Sequence, residues 1–347
     1  MIKATYKKYI LKFKQASGTS RGILKTKETY FIILNKGTKI GVGESAIFRG
    51  LSYDDVPNYE EKLHDVCNNI NLGLEKLLEK LIDFPSIQFG LEQAFLSLAS
   101  SNRFNLIPSK FTEGNAKIPI NGLIWMGSKE FMKNQIIEKI NAGFTTLKLK
   151  IGAIDFKTEL ALLQKIRKEF TANEITLRVD ANGAFKPSMA LEKLKRLSDL
   201  DLHSIEQPIK TKQWQEMALL CQKTPLPIAL DEELIGIAQT GEREKLLQTI
   251  KPQFIILKPS LVGGIKASNQ WIALAENQNI NWWITSALES NIGLNAIAQY
   301  TYSLQNKLPQ GLGTGSLFTN NFDSPLVVKQ GYLGYDVSLK WKLRALV

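Results

Sequence analysis

Histidine and cysteine are scarce in this chain, whose 347 residues contain two of each. His64 and His203 stand far apart with no metal-ligand spacing, which leaves zinc coordination and serine–histidine relays poorly supplied. Cys67 and Cys221 sit in unrelated contexts and read as reduced thiols, not as a disulfide framework or a thiolate metal site. Long apolar runs are missing too. The opening MIKATYKKYILKFKQ is broken by lysines before it reaches the length of a signal peptide or a membrane span, so the chain is expected to be cytoplasmic. The formal net charge of +11 comes from scattered lysines that no stretch interleaves with aromatic residues. Such a field suits small anions or nucleic acid, and the missing stacking platform argues against nucleic acid as the broken apolar runs do against a membrane.

With 44% hydrophobic residues the chain can bury one large core or two moderate ones. Two glycine-rich stretches invite a nucleotide-binding reading. Gly41-Val42-Gly43-Glu44-Ser45-Ala46 has the GxGxxA form but lacks a helix to present its N-terminus to a pyrophosphate. It follows TYFIILNKGTKI and reads as the second arm of a β-hairpin. Gly311-Leu312-Gly313-Thr314-Gly315 lies far from any nucleotide context and is set aside in the same way. Before about residue 115 the pattern predicts strands and a turn over 5–44, then helices over 59–81 and 90–100. After it, eight short apolar runs alternate with charged amphipathic segments such as 155–169 and 188–198. The runs are IPINGLIWMG, TTLKLKIG, ITLRVDANG, LHSIEQPI, LPIALDEEL, PQFIILKPS, INWWITSALES and LPQGLGTGS. Repeated βα units imply parallel strands joined by right-handed crossovers, and eight of them fit a closed barrel better than an open sheet.

The second run poses the question that organises the rest. Lys148 and Lys150 are two residues apart on a strand, so both ammonium groups project to one side while Leu147, Leu149 and Ile151 project to the other. Two cations inside a protein need something anionic to face. The following runs end in ionisable residues: Asp180, Glu206, Asp231 and Lys258. In a barrel of this kind the carboxyl ends of the strands converge on one site. A single acid at a strand end is more often an ordinary ion pair or helix cap, but a set on successive strands is hard to explain that way. Three oxygen donors without histidine or cysteine favour a hard cation, Mg²⁺ or Mn²⁺, with positions left open for substrate oxygens.

These residues resemble the enolase superfamily, in particular its muconate-lactonising-enzyme subgroup: Lys-x-Lys at Lys148 and Lys150, Asp180 in RVDANG, Glu206 in IEQP, Asp231 in LDEE and Lys258 in LKPS. The resemblance implies a (β/α)7β TIM-like barrel over 113–316. It also implies an α+β capping domain built from 1–112 and the extreme C-terminus, with 317–347 returning to it. By the same resemblance Asp180, Glu206 and Asp231 are metal ligands, and Lys150 is the catalytic base, neutral when it acts. Lys258 stabilises the enolate face and Lys148 holds a substrate carboxylate. The stretches PSIQFGLEQAF (85–95), SALES (286–290) and GLGTGSLFTNN (311–321) point to a branch whose reaction is syn elimination of water from a cyclohexadiene carboxylate carrying a succinyl group.

Other residues have plainer alternatives. Asn182 and Glu232 adjoin the metal ligands and are expected to orient lysines or water, unless they are merely exposed loop residues. Arg178 points the same way as Asp180 and is a candidate for binding substrate; ion pairing below the site is the alternative. Ser286 and the amides around Gly313 are candidates for a substrate carboxylate, although Ser286 would serve equally well as a helix cap. Ser17–Gly22 (SGTSRG), with Ser20 at its centre, reads as a capping-domain loop able to close over substrate, or as a plain hairpin turn. Two further functions stay open: a racemase or epimerase of N-acyl amino acids or dipeptides, and a non-catalytic basic binding protein on a barrel scaffold. Dipeptide epimerases of the subgroup carry Asp-x-Asp after the eighth strand; here that stretch is GTGSLF.

Overall fold

A computed structural model of the chain describes residues 1–19, 22–343 and 346. Three antiparallel strands come first: β1 (Lys3–Thr19), β2 (Gly22–Lys36) and β3 (Lys39–Ser45). Along β1 the buried Leu11 and Phe13 alternate with the exposed Lys12 and Lys14, the period-2 pattern of a strand with one face on a core. The helices α1 (Tyr59–Asn68), α2 (Leu74–Lys80) and α3 (Pro85–Ala99) follow. Gly41 and Gly43 have a packing role: a Cβ on either would strike the α3 backbone at Ala94 or Gly90. Glycine lets helix and sheet approach closely there, and the GxGxxA stretch is a hairpin arm as expected.

Next, β4 (Ile118–Pro119) leads into a seven-stranded parallel sheet in chain order: β5 (Gly122–Ile124), β6 (Thr146–Lys150), β7 (Thr176–Asp180), β8 (Ser204–Glu206), β9 (Ile228–Leu230), β10 (Phe254–Leu257) and β11 (Asn281–Ile284). Its crossovers carry α4 (Lys129–Asn141), α5 (Phe156–Glu169), α6 (Pro187–Ser198), α7 (Trp214–Lys223), α8 (Thr240–Ile250), α9 (Pro259–Val262) and α10 (Gly264–Glu276). After β11 comes α11 (Asn291–Ser303). Local chemistry sets the helix starts: Asp155 accepts from the Thr158 amide to open α5, and Pro187 stands in the first turn of α6.

The outcome is a mixed α/β fold with a curled parallel sheet, whose strands turn Leu147, Leu149, Leu177 and Val179 into one continuous apolar core. The eighth apolar run differs from expectation. It forms isolated bridges, with Gln310 beside Ile120 and Gly311 beside Thr285. The Gly311 amide donates to Ile284 O (2.8 Å) on β11, while the Gln310 amide donates to Pro119 O (2.8 Å) on β4 and Gln310 O accepts from the Asn121 amide (3.0 Å) just before β5. Glycine spacing and a proline leave it too irregular to extend a ladder. The chain ends with the hairpin of β12 (Leu326–Lys329) and β13 (Tyr332–Tyr335), which pairs with β4. Before that hairpin, Leu317 and Thr319 hydrogen-bond to β1 at Lys14 and Lys12. No helix among the described residues is long and apolar enough to cross a membrane.

Candidate active site

Strand register assembles the site. Lys150 lies opposite Asp180, and Asp180 opposite Glu206, while Asp231 and Lys258 are the residues that immediately follow β9 and β10. All these side chains therefore emerge at the carboxyl rim of one sheet. Lys148 Nζ stands 3.0 Å from Asp180 Oδ2 and 2.5 Å from Glu206 Oε2. Lys150 Nζ is 3.1 Å from the same Asp180 oxygen and donates to Asn182 Oδ1 at 2.8 Å. Lys258 pairs with Asp231. The anions facing the Lys-x-Lys pair are thus carboxylates from the neighbouring strands.

Glu232 is buried and Asn182 half-buried, so both are members of this network and not exposed loop residues. Asn182, in the left-handed region at φ 43°, bonds Lys150 through Oδ1 and donates from Nδ2 to Glu232 Oε1 at 2.9 Å. Burial would lower the pKa of Lys148 and Lys258. Asp180 and Glu206 around the first, and Asp231 and Glu206 around the second, outweigh it and hold both above the usual lysine range. Burial works in the opposite sense on Asp180, where Lys148, Lys150 and Lys258 prevail and keep the carboxyl well below its ordinary value. Glu206 goes the other way: burial first, then the charge of Asp180, raise it well above the carboxylate range.

That asymmetry bears on metal binding. Among the described residues no three His, Cys, Asp or Glu side chains stand together as a ready metal cage, because the lysines draw the carboxylates towards themselves. The donor chemistry nevertheless fits a hard divalent cation. Glu206 Oε1 is buried and receives no hydrogen bond, and the crowded acids penalise its charge; a cation would relieve both.

A cavity of about 1140 Å³ opens over the network, floored by Lys148, Lys150, Asp180, Asn182, Glu232 and Lys258, with Ser286 and Gly313 on its wall. Glu206 and Asp231 lie beneath that lining. Arg178 does not reach it: Nη1 donates to Pro309 O at 2.8 Å and the guanidinium packs 4.1 Å from the centre of the Trp283 ring. Ser20 lies outside the described residues. Around it, Ser17–Thr19 and Gly22–Leu24 pair as the end of a long hairpin, so the described part of SGTSRG continues the strands. Capping of α11 falls to Ser290, which accepts from the Ile292 amide, and not to Ser286. Ser286 instead donates to Glu289 Oε2 (2.6 Å) and accepts from Thr314 Oγ1 (2.8 Å).

Sequence reasoning missed three participants. Lys14 on β1 puts a cation at the cavity wall from the opposite end of the chain. Glu289, fully buried, gathers Ser260 Oγ, Ser286 Oγ and the Ala287 amide, joining the turn after Lys258 to the cavity wall. Glu44 accepts from Thr29 on β2 and from Ser290 and the Gly293 amide on α11. The one signal for Glu289 was its place inside SALES; nothing local marks Glu44 or Lys14.

The chain is similar to known proteins. The family described as Enolase C-terminal domain-like matches residues 132–336. An o-succinylbenzoate synthase from Desulfotalea psychrophila is 46% identical, the alignment covering 96% of this chain and 99% of that protein. The crystal structure of MenC from Desulfotalea psychrophila LSv54 superposes with a TM-score of 0.86 at 43% identity, covering 96% of this chain and 99% of the other. An L-Ala-D/L-Glu epimerase from Bacillus subtilis is 29% identical over 59% of this chain and 52% of its own length. With the family match spanning more than half of its residues and the synthase relative aligned almost end to end, this chain belongs to the Enolase C-terminal domain-like family of the enolase superfamily.

Proposed function

We propose that the chain is an o-succinylbenzoate synthase. It would carry out the divalent-cation-dependent syn dehydration of 2-succinyl-6-hydroxy-2,4-cyclohexadiene-1-carboxylate to 2-succinylbenzoate, a step of menaquinone biosynthesis. The near-full-length similarity to a synthase carries this reading. The finer architecture proposed with it is a (β/α)7β barrel over 113–316. The bond from Gly311 to Ile284 on β11, and the one that Gln310 O accepts from Asn121 just before β5, support closure. Residues 1–112 and 317–347 form the capping part, supported by the contacts of Leu317 and Thr319 with β1.

Asp180, Glu206 and Asp231 are the residues that would hold Mg²⁺ or Mn²⁺, which when bound lowers the cost of negative charge on the substrate carboxylate. Lys150, neutral when it acts, takes the proton from the carbon bearing that carboxylate. The electron pair left behind moves into the ring and expels hydroxide from the neighbouring carbon. Lys150 returns its proton to the departing hydroxide on the same face, water leaves, and the ring becomes aromatic. Lys258 lies four strands from Lys150 in sheet order and stabilises the developing charge with its ammonium. Lys148 holds the carboxylate, while Asn182, tied to Glu232, fixes the Lys150 amine. Ser286, Gly313 and Lys14 offer polar and cationic groups to the succinyl end.

The competing reading is N-succinyl amino acid racemisation or dipeptide epimerisation, in which lysines on both faces exchange one proton. The test is turnover of the cyclohexadiene substrate beside a panel of N-succinyl amino acids and Ala-Glu. Fast dehydration with slow or absent deuterium exchange into Ala-Glu is expected. Rapid exchange into the dipeptide without dehydration overturns the synthase reading.

A further inference from the structure

Outside the candidate active site, a buried cation faces a second cavity. Arg243 on α8 is only 4% exposed, yet no carboxylate forms an ion pair with it among the described residues. Its Nε donates to Ile237 O at 3.0 Å and its Nη1 to Gln270 Oε1 at 2.6 Å, and the guanidinium lies 5.5 Å from the Trp271 ring centre. Nη2 has no hydrogen-bond partner among the described residues. Arg178 makes an instructive contrast, because its unpartnered Nε and Nη2 are sealed in the core. Arg243 instead lines a second cavity of about 220 Å³, shared with Gln88, Gln270, Gly263, Tyr53 and Lys266. That volume matches roughly seven waters at about 30 Å³ each.

Burying a guanidinium without an anion costs free energy that the neutral amide and carbonyl partners only partly offset. The planar fork is matched by two oxygens of one oxyanion. The Gln270 side chain accepts from Arg243 through its oxygen, which leaves its amide nitrogen as a second donor at the cavity. Glu79 stands at the exposed rim, and Lys266 at that rim is engaged by Glu75. We infer that this cavity is a binding site for one small oxyanion, a phosphate or carboxylate group, held by Arg243 Nη2 and Gln270. Burial, with no anion to oppose it, pulls the Arg243 pKa down to about 10, as expected of a cation awaiting its partner. Leu234, Gly236 and Ile237 form part of the wall and continue directly from Asp231–Glu233, so an occupant would rest against the segment that carries a proposed metal ligand.

Inorganic phosphate and, separately, acetate are titrated calorimetrically into the full chain, into Arg243→Gln and into Ala267→Met. Ala267 lines the cavity beside Gly263, so the longer side chain fills the space without touching the charge. One anion should bind the unaltered chain, and each variant that folds by circular dichroism should weaken it at least tenfold. Tighter phosphate than acetate assigns the site to phosphoryl groups, and the reverse order to carboxylates. Absence of binding to the unaltered chain, or an affinity unchanged in both variants, overturns the inference. If Arg243→Gln fails to fold, Ala267→Met alone decides it.

Discussion

Replacing Lys150 by alanine should separate chemistry from folding, and the geometry sets both magnitudes. Lys150 shares Asp180 Oδ2 with Lys148, at 3.1 Å against 3.0 Å. When it is removed, Asp180 keeps Lys148 and the amide of Asn182, which donates to Oδ1 at 3.0 Å. No buried charge is orphaned. The stability loss should therefore stay near 1–2 kcal/mol, as a rough figure, below the roughly 3–5 kcal/mol expected when the sole partner of a buried charge is deleted. Turnover has no such reserve, because a syn elimination uses one face and one base. General-base assistance is worth roughly 10² to 10⁴, so the loss should reach about a thousandfold, or about 4 kcal/mol in the barrier. The assay follows the absorbance of the aromatic product, with a urea melt on the same sample. Small exogenous amines should partly rescue Lys150→Ala and leave Lys258→Ala inactive, since Lys258 works as a positioned cation. A folded Lys150→Ala within tenfold of the unaltered chain would refute the assignment, and rescue of Lys258→Ala alone would exchange the two roles.

Exhaustive chelation should abolish turnover and Mg²⁺ or Mn²⁺ should restore it; full activity after chelation would remove the metal from the mechanism. Glu206→Gln keeps the shape but takes one charge from the proposed ligand set, so calorimetry should find weaker divalent binding while the melt is preserved. Lys258→Ala should cost more stability than Lys150→Ala, because it strips Asp231 of its lysine, and equal melts would count against the ion pairing described. His203 tests the interior below the site: burial first, and Arg178 second, push its pKa from 6.5 down to about 4. A depressed histidine means the unfolded chain binds the extra proton first, so stability should drop as pH falls from about 6.5 to 4. The drop should approach 3 kcal/mol at roughly 1.4 kcal/mol per pH unit. His203→Phe should flatten that slope in urea melts, and an unchanged slope would exclude His203 as its source.

Period-2 reasoning made Lys148 and Lys150 legible as a pair on one face, because alternation along a strand is a local property. The carboxylates were legible for the same reason, each standing at the end of an apolar run. The eighth run was harder: its residues look like a strand, but its glycines and proline leave it as isolated bridges. Arg178 was assigned correctly to the inner face and yet lies away from the cavity, since alternation gives direction and not depth. Ser286 was a plausible cap in sequence, and the start of α11 gives that role to Ser290 instead. Glu44 was invisible as a buried acid because the Ser290 it bonds lies 246 positions further along the chain.

That last contact limits how the molecule can be taken apart. Glu44 reaches from β3 to the first turn of α11, which follows directly from the loop bearing Ser286. An amino-terminal sheet exchanged for that of a relative would have to bring an acid to this one position, or leave the Ser290 and Gly293 amides without their acceptor beside the cavity wall. Modular engineering of substrate preference by swapping the first 45 residues would thus disturb the very surface it meant to preserve, unless Glu44 travels with the graft.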